Sequence, residues 1–536
     1  MDWGMHLIVV PVLLPLIAGA TLLLIDERRH TIKALVSVAS TLALLVAAIA
    51  LLRIADGRGA ETVSASYAVA SWPAPFAIVL VLDRLSALLM VTTCVVAFAT
   101  LSFSLARWDR VGPHFHSLFQ FLLMGLGGAF LTGDLFNLFV FFEVTLAASY
   151  GLLLHGSGPF RVRSGLHYIS INLAASLLFL IGVSLIYGVT GTLNMADLAL
   201  RIPQVPAEDR MLLQAGAGIL GVAFLVKAGM WPLGFWLPSA YMAAAAPVGA
   251  TFVILTKVGI YVLLRLSMLL FGGISEGLEG FGSTALLWGG IATLLFATSG
   301  VLASQAMGRL AGYSVLVSSG TLLAAIGLGN VAVVSGALFY LVSSTFAAAA
   351  LFMLIELVER AREPGADLLA VTMEAYGDER EETDEPEDEE VGVIMPGALA
   401  VLGVSFGCVA LLLAGLPPLS GFVAKFAMLQ GMLGDGLRGG AVAASTWFLL
   451  ALVILSGLAA LVAMMRTGIR TFWAPLESVV PRVLVIEVAP ILVLIGLCFA
   501  MSVYGGSVIR YTDAASGALH QPAVYIQGVL GGEASE

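Results

Sequence analysis

Apolar residues run along this chain in stretches near 20 residues, separated by short polar or charged segments. A stretch of that length is what an α-helix needs to cross the apolar interior of a bilayer. The pattern predicts an all-α polytopic membrane protein with about 14 transmembrane helices. The predicted spans are about 5–25, 31–52, 76–106, 115–131, 135–154, 166–189, 211–238, 246–271, 284–306, 310–328, 331–357, 396–433, 443–465 and 488–508.

Composition supports the membrane prediction and excludes several other classes. The 536 residues are 60% hydrophobic and only 11% charged, whereas soluble domains carry about 25% charged residues. Much of the net charge of -10 lies in one acidic stretch at 374–391, which is expected to be a solvated loop. No cofactor or nucleic-acid partner is expected, since the sequence has no phosphate loop and no CxxC, haem or iron–sulfur spacing. No metal site is expected either, because the three cysteines lie in apolar runs without ligand or disulfide spacing.

Two of the predicted spans are interrupted by proline and glycine. The first reads GMWPLGF at 229–235 and the second reads GLPPLSGF at 415–422. Proline removes a helix hydrogen bond, and in lipid the freed backbone groups must be satisfied within the protein. Two unrelated packing kinks are the alternative explanation of the interruptions. The similar sequences, each with a lysine nearby, favour broken helices of a transporter instead. The predicted breaks are Pro232, Gly234, Pro417, Pro418 and Gly421.

The two breaks fall in the seventh and twelfth predicted spans, five spans apart. An odd offset places the two copies in opposite directions across the membrane, as in the inverted repeats of transporters. The predicted organisation has four parts. They are helices 1–3 at 1–110, a first repeat of helices 4–8 at 111–275 with its broken helix at 211–238, a second repeat of helices 9–13 at 276–468 with the acidic loop at 374–391 and a broken helix at 396–433, and helix 14 with a C-terminal tail at 469–536.

Four ionisable residues lie inside the predicted spans: Glu143, Lys227, Lys257 and Lys425. Each charge costs about 2.5–3.5 kcal/mol at the bilayer centre before it is paired, so the four groups are expected to be paired or hydrated. One structural Glu–Lys pair with snorkelling lysines is the alternative. It fits Lys257 poorly, because Lys257 lies about eleven residues inside its span. A row of lysines with one carboxylate predicts a switchable proton path.

Other polar side chains within or near the spans are candidates for extending such a path. Hydroxyl groups and imidazoles pass protons through hydrogen bonds and bound water. In each case the alternative is that the side chain bonds only its own helix backbone. The possible relay residues are His155, His167, Ser318, Ser319, Ser343, Ser344 and Thr345.

The distribution of basic residues predicts the orientation of the chain. Fourteen of the 25 lysines and arginines lie on loops that leave odd-numbered spans, against eight on the opposite side. The positive-inside rule then puts the odd-to-even loops and the acidic loop in the cytoplasm. Both termini are expected on the outer side of the cell (inner) membrane.

The intramembrane charges and the two breaks resemble a known family. The matching motifs are Glu143 in the fifth span, Lys227 in VKAGMWPLGFWLP, Lys257 in TKVGIY and Lys425 after GLPPLSGF. They are similar to those of the large proton-translocating subunits shared by respiratory complex I and the multisubunit Mrp/Pha-type cation/proton antiporters. Within that family, HLIVVPVLLPLIAGA near the start and AVYIQGVL near the end look most like the large antiporter subunit that is designated D.

The resemblance implies fourteen spans with two inverted five-helix repeats, and discontinuous helices 7 and 12. It also implies that Glu143 and Lys227 form a coupling pair, with Lys257 and Lys425 carrying protons onward. The implied partners are other subunits of the complex, H⁺, and Na⁺ or K⁺. One departure stands out: many relatives carry a histidine or lysine on the eleventh span, where this chain reads VSSTF at 342–346.

Three functions are compatible with these features. The first is the proton-translocating subunit of a Na⁺(K⁺)/H⁺ antiporter, a secondary transporter and not an enzyme. The second is a proton-pumping subunit of a complex I-like or membrane-bound hydrogenase complex, driven by electron transfer in its partners. The third is a structural membrane subunit that conducts nothing. The composition of the complex and the effect of neutralising the lysines distinguish them.

Overall fold

A computed structural model describes residues 6–57, 65–69, 72, 74–75, 78–272, 280–360, 397–437, 440–472 and 483–531. The acidic stretch at 374–391 and the first residue of the predicted span 396–433 lie outside the described residues. The elements, in chain order, are α1 (Val10–Leu24), α2 (His30–Gly57), β1 (Ala65–Ala68), β2 (Val79–Leu82), α3 (Arg84–Ser104), α4 (Phe115–Leu131), α5 (Leu135–Leu153), α6 (Pro159–Thr190), α7 (Met195–Arg201), α8 (Arg210–Ala228), α9 (Leu237–Ala243), α10 (Ala246–Phe271), α11 (Ser283–Ala303), α12 (Met307–Leu328), α13 (Val331–Glu359), α14 (Gly397–Ala414), α15 (Ser420–Leu437), α16 (Ala444–Phe472), α17 (Val485–Val503), α18 (Gly505–Leu519) and α19 (Pro522–Leu530).

The long helices coincide closely with the predicted apolar runs. Within the described residues, 12 helices are long and apolar enough to cross a membrane, and α1 and α4 are shorter apolar helices. This confirms the prediction of a helical, multi-pass membrane protein. The number of crossings and the relation between the two repeats stay predictions.

The predicted span 76–106 is wrong at its start. Val79–Leu82 forms a strand, paired antiparallel with β1 in the register Ala65↔Leu82. Helix α3 begins only at Arg84, because the Asp83 side chain accepts a hydrogen bond from the Ser86 backbone N–H at 2.8 Å and caps the helix. The β-hairpin marks one end of the bundle, called here the hairpin end. The opposite end carries the loop with Trp108 and is called the Trp108 end.

The centre of the bundle is built on helices that have almost no outward face. Helix α13 is buried along its whole apolar window, and α10 and α12 are buried along most of theirs. Most of the polar side chains on these three helices are serines, threonines and single basic residues. Because water does not reach them from the lipid side, these side chains bond either a carbonyl of their own helix, as Thr256 and Thr321 do, or a group on a neighbouring helix.

Glycines let α11 and α12 approach each other closely. A Cβ atom at Gly290 would lie 2.4 Å from the Ala324 backbone nitrogen, and one at Gly320 would lie 2.7 Å from the Leu294 nitrogen. Both distances are too short for a methyl group, so the backbones touch where the side chains are missing. Small residues at the crossing are the usual way in which membrane helices gain contact.

Gly320→Ala is therefore expected to destabilise the protein by about 1–3 kcal/mol, because the added methyl group has to push two helices apart. Gly221→Ala is the matched control, since nothing lies within 4 Å of the position of its Cβ atom. Thermal unfolding of the purified protein in detergent measures both. Equal melting temperatures for the two variants would show that the close crossing is not needed for stability.

Candidate functional site

The two predicted breaks have the same backbone structure where the first half of each helix ends. Gly229 and Gly415 both have φ of 76°, in the left-handed region that glycine adopts without strain. The N–H group of the following residue bonds back to an earlier carbonyl in each case: Met230 to Leu225 and Leu416 to Leu411, both at 3.0 Å. This is the hydrogen-bond pattern of a glycine-terminated helix.

The backbone groups freed by the breaks find partners inside the protein. The Trp231 N–H donates to Thr293 Oγ1 on α11 at 2.9 Å. Ser502 on α17 donates to the Pro418 carbonyl at 2.6 Å. These bonds provide the hydrogen-bond partners that lipid does not offer to free backbone groups. They also hold each break against a helix from a different part of the chain.

Later in each break, the predicted glycines allow a close backbone contact. A Cβ atom at Gly234 would lie 2.1 Å from the Gly229 carbonyl oxygen, and one at Gly421 would lie 2.2 Å from the Leu412 oxygen. Any other residue would force the chain apart at this point. Glycine is therefore required at these two positions, both named from the sequence, for the backbone to make this contact.

Lys227 lies in the last turn of α8, directly before the first break. Its Nζ lies 5.4 Å from the centre of the Phe142 ring on α5, at the edge of a small aromatic cavity between α5, α6 and α8. Glu143 is the next residue on α5, and its buried Oε1 has no hydrogen-bond partner among the described residues. No ion pair within 4.0 Å joins Glu143 to Lys227 in the described part of the chain.

Lys257 lies near the middle of α10 and is only 1% exposed. Its Nζ donates to Ser318 Oγ on α12 at 2.6 Å, and Ser318 Oγ lies 2.9 Å from Ser344 Oγ on α13. A lysine and two hydroxyl groups from three helices therefore form one continuous hydrogen-bonded chain. Hydroxyl groups both donate and accept, so the chain can reverse its direction without moving a helix.

The neighbouring serine on α13 makes a separate contact with the second break. Ser343 Oγ lies 2.8 Å from Ser420 Oγ at the start of α15. Lys425, on the same helix, donates from Nζ to the carbonyls of Leu413 and Ala414 at 3.2 and 3.0 Å. These carbonyls end α14, where the helix dipole favours a positive charge.

The other predicted relay residues are not brought into this chain. His167 is exposed on α6, and Thr345 donates to the Leu341 carbonyl of its own helix at 2.6 Å. Ser319 is buried, and its Oγ lacks a partner among the described residues. His155 lies in the loop after α5, where its Nε2 is 2.7 Å from the Trp108 carbonyl oxygen. Burial lowers the pKa of His155 below its usual value, which favours the neutral imidazole.

A wide vestibule opens at the Trp108 end, with a volume of about 730 Å³. Charged side chains line it: the Trp108 indole donates to Glu356 Oε2 at 2.7 Å, and Arg360 donates to Glu487 Oε1 at 2.6 Å. Its wall includes the first residue of α10, Ala246. Water therefore reaches the end of α10 that lies about three turns from Lys257.

Sequence reasoning misses the buried charge of Arg265. The basic-residue pattern places it at a helix end, but it lies inside α10 and is 4% exposed. Both of its amino groups donate to the Asp83 carboxylate at the hairpin end. Its spacing of eight residues from Lys257, which puts both on one helix face, is the signal that could have found it.

Comparison with known proteins identifies the family. A family described as NADH:quinone oxidoreductase/Mrp antiporter, TM, matches residues 132–459. A probable K(+)/H(+) antiporter subunit of Rhizobium meliloti (strain 1021), designated D, is 58% identical over 532 residues, covering 99% of this chain and 98% of that protein. The Na(+)/H(+) antiporter subunit of Bacillus subtilis (strain 168) with the same designation is 32% identical over 534 residues, covering 98% and 99%. A chain in the structure of the Mrp complex from Dietzia sp. DQ12-45-1b superposes with a TM-score of 0.82 at 25% identity, covering 99% of this chain and 100% of that chain.

The buried charges, the broken helices and these matches define a multi-pass membrane protein of the transporter class. The chain belongs to the NADH:quinone oxidoreductase/Mrp antiporter family. Within that family, it matches antiporter subunits of the D type over their full length, which confirms the resemblance found in the sequence.

Ser318→Ala is expected to slow cation-dependent proton movement by about tenfold, because it removes a charge-assisted hydrogen bond of about 1.5–3 kcal/mol from Lys257. Ser319→Ala is the matched control: this neighbouring serine is equally buried, but its hydroxyl makes no hydrogen bond to the lysine within the described residues. Rates are compared in vesicles that contain equal amounts of the assembled complex. Equal slowing by both substitutions would mean that the contact with Lys257 is unimportant.

Proposed function

We propose that this chain is the proton-translocating membrane subunit of a multisubunit Na⁺(K⁺)/H⁺ antiporter in the cell membrane. The relatives named as subunits of K⁺/H⁺ and Na⁺/H⁺ antiporters, and the superposition on a chain of an Mrp complex, support this assignment. Partner subunits of the same complex are expected around it. The protein acts as a secondary transporter and not as an enzyme.

The observation that carries the proton-translocating role is the hydrogen-bonded chain Lys257–Ser318–Ser344. It lies in the most deeply buried part of the bundle, where a charged amine is energetically costly. Keeping a lysine there despite that cost favours a functional role. In the proposed mechanism, Lys257 passes a proton to the hydroxyl chain when a second positive charge approaches, and regains one when that charge leaves. No hydrogen bond among the described residues joins the pair Ser343–Ser420 to this chain; bound water is proposed to bridge the gap, in the place of the histidine or lysine that many relatives carry there.

Glu143 and Lys227 are proposed as the coupling pair. Their separation in this structure, with Glu143 Oε1 unpartnered among the described residues, suits a pair that opens and closes during transport. When the carboxylate approaches, it favours the protonated lysine; when it withdraws, the lysine loses that support. Closing this pair and moving the Lys257 proton are the two events that the mechanism couples.

The orientation is part of the proposal. The Trp108 end carries the basic loops and is assigned to the cytoplasm, with both termini on the outer side. The vestibule then faces the cytoplasm and supplies water to α10. Cysteine residues placed singly in the loops at either end, and labelled from one side of intact cells, test this assignment.

A redox-driven proton pump is the alternative, because the family includes subunits of NADH:quinone oxidoreductase. Mass spectrometry of the proteins that co-purify in mild detergent separates the two. Small hydrophobic partners without flavin or iron–sulfur proteins support an antiporter, which would then be assayed with Na⁺ and with K⁺. Redox partners would replace the antiporter assignment with the pump.

A further inference from the structure

Three residues of α10 form a line from the centre of the bundle toward the hairpin end. Lys257, Tyr261 and Arg265 are spaced by four residues each, so they lie on one face of the helix at intervals of about 6 Å. They are 1%, 4% and 4% exposed. The line is separate from the serine chain, which leaves Lys257 toward α12 and α13.

The guanidinium of Arg265 is held on several sides. Its Nη2 donates to Asp83 Oδ1 at 2.9 Å, and its Nη1 donates to Asp83 Oδ2. Nη2 also lies 3.5 Å from the Tyr261 hydroxyl. The rings of Tyr261 and Tyr525 flank it, with the guanidinium carbon 5.4 and 5.1 Å from their centres. Both carboxylate oxygens of Asp83 are therefore occupied by the arginine.

Water has access to this ion pair from the hairpin end. A cavity of about 40 Å³ lies against Asp83, Arg84 and Arg265, and has room for a small number of water molecules. Beyond it, an Asp56 carboxylate oxygen is 3.9 Å from Arg84 Nε and another is 2.9 Å from Arg510 Nη2. On the inner side, the Tyr261 hydroxyl donates to a backbone carbonyl of α4 at 2.8 Å. Along the helix face, Tyr261 and the ion pair separate this water from Lys257.

A direct proton route from the hairpin end to Lys257 would be a leak in a transporter. Any proton that reached Lys257 directly from the hairpin end would bypass the coupling pair and dissipate the gradient. An arginine is suited to block such a route, because its guanidinium does not release its proton and repels other cations. Its two-pronged contact also keeps the Asp83 carboxylate from accepting a proton from the cavity.

We propose that the Arg265–Asp83 ion pair is a proton seal, which isolates Lys257 from the water at the hairpin end of the protein. Lys257 then exchanges protons only through the serine chain and the groups on the cytoplasmic side. This inference rests on the proposed role of Lys257 as a proton carrier. Arg265 does not itself carry protons; it acts by limiting which groups can exchange protons with Lys257.

The test uses the assembled complex in proteoliposomes, with an imposed pH difference and neither Na⁺ nor K⁺ present. A pH-sensitive dye inside the liposomes reports passive proton leak. Arg265→Gln is expected to raise the leak at least about tenfold, because Asp83 becomes free to take up protons within reach of the Lys257 line. The added substitution Lys257→Met is expected to return the leak to the wild-type level.

Two further variants make the result specific. Arg510→Gln breaks an exposed ion pair at the same end and is expected to leave the leak unchanged. Arg265→Lys keeps the positive charge and the packing, so it remains informative if the glutamine variant fails to assemble. It is expected to leak more than wild type, because an ammonium group can release a proton and occupies Asp83 less completely.

Wild-type leak in an assembled Arg265→Gln or Arg265→Lys complex would overturn the seal. A leak that persists when Lys257 is also replaced would overturn it too, since protons would then be crossing elsewhere. The proposed function is judged by a separate measurement, so the two failures can be told apart. That function fails by a different result, namely normal coupled exchange after Lys257 itself is neutralised.

Discussion

Replacing either Glu143 or Lys227 with alanine is expected to abolish cation-dependent proton movement by the assembled complex. Lys227 directly precedes the first break on α8, and Glu143 lies on α5 next to Phe142, the residue whose ring the Lys227 ammonium approaches. Without the carboxylate, the positive charge of Lys227 is not supported when the pair should close. Without the lysine, closing the pair has no proton to move.

The assay is dye quenching in inverted membrane vesicles after addition of Na⁺ or K⁺. Lys33→Ala is the matched control, because Lys33 forms an ion pair with Glu27 at 2.6 Å, in a helix outside the proposed path. The control is expected to transport normally. Exchange at the wild-type rate in either the Glu143 or the Lys227 variant would exclude the coupling pair.

Replacing Lys425 with methionine or with arginine is the second change expected to stop transport. The methionine variant removes the proposed proton carrier. The arginine variant keeps a positive charge near the carbonyls of Leu413 and Ala414, but a guanidinium does not give up its proton at physiological pH. The two substitutions thus separate a need for charge from a need for proton release.

Both Lys425 variants are compared at equal levels of assembled complex, with their melting temperatures as a check on the fold. Gly415 and Gly457 lie close around the lysine, so a larger side chain tests the fit as well. Transport by the arginine variant would show that Lys425 serves only as a fixed charge. Loss of transport in both variants, with the complex intact, is the expected result.

The helical runs and the two breaks could be predicted from the sequence because their signals are local. Length and hydropathy define a span, and proline with glycine inside an apolar run indicates an interruption. The placement of Lys227 and Lys425 beside the breaks follows from sequence distance alone. The identical helix endings at Gly229 and Gly415 add backbone detail to a similarity that is already visible in the residues.

The contacts that build the site depend on residues far apart in the chain. Lys257 meets Ser318 across 61 residues, and Arg265 meets Asp83 across 182. The pattern of apolar and polar residues along the sequence does not indicate such long-range pairs. Without its distant partner, Arg265 resembles a residue at the end of a span. The serines of the eleventh span are candidates from the sequence, but which hydroxyl faces which lysine depends on the packing of α10, α12, α13 and α15.

The hairpin and the last two helices escape sequence reasoning for a different reason. Strands β1 and β2 have four residues each, too few for an alternating pattern to stand out beside long apolar runs. The predicted span 488–508 is wrong at its end, because α17 ends at Val503 and a second, short amphipathic helix, α18, begins at Gly505, with α19 after it. Tyr511 and Tyr525 on these helices nevertheless reach the Arg84 carbonyl and the Arg265 guanidinium, so this end of the chain completes the surroundings of the ion pair.

Proton movement through Lys257 is the central claim, and one comparison tests it most directly. The purified complex is reconstituted with either wild-type protein or Lys257→Met, and internal pH is followed after addition of Na⁺ or K⁺. Wild-type liposomes are expected to exchange protons for at least one of the two cations, and Lys257→Met liposomes are expected to show none. Exchange by the methionine variant at the wild-type rate would contradict the claim that protons pass through Lys257.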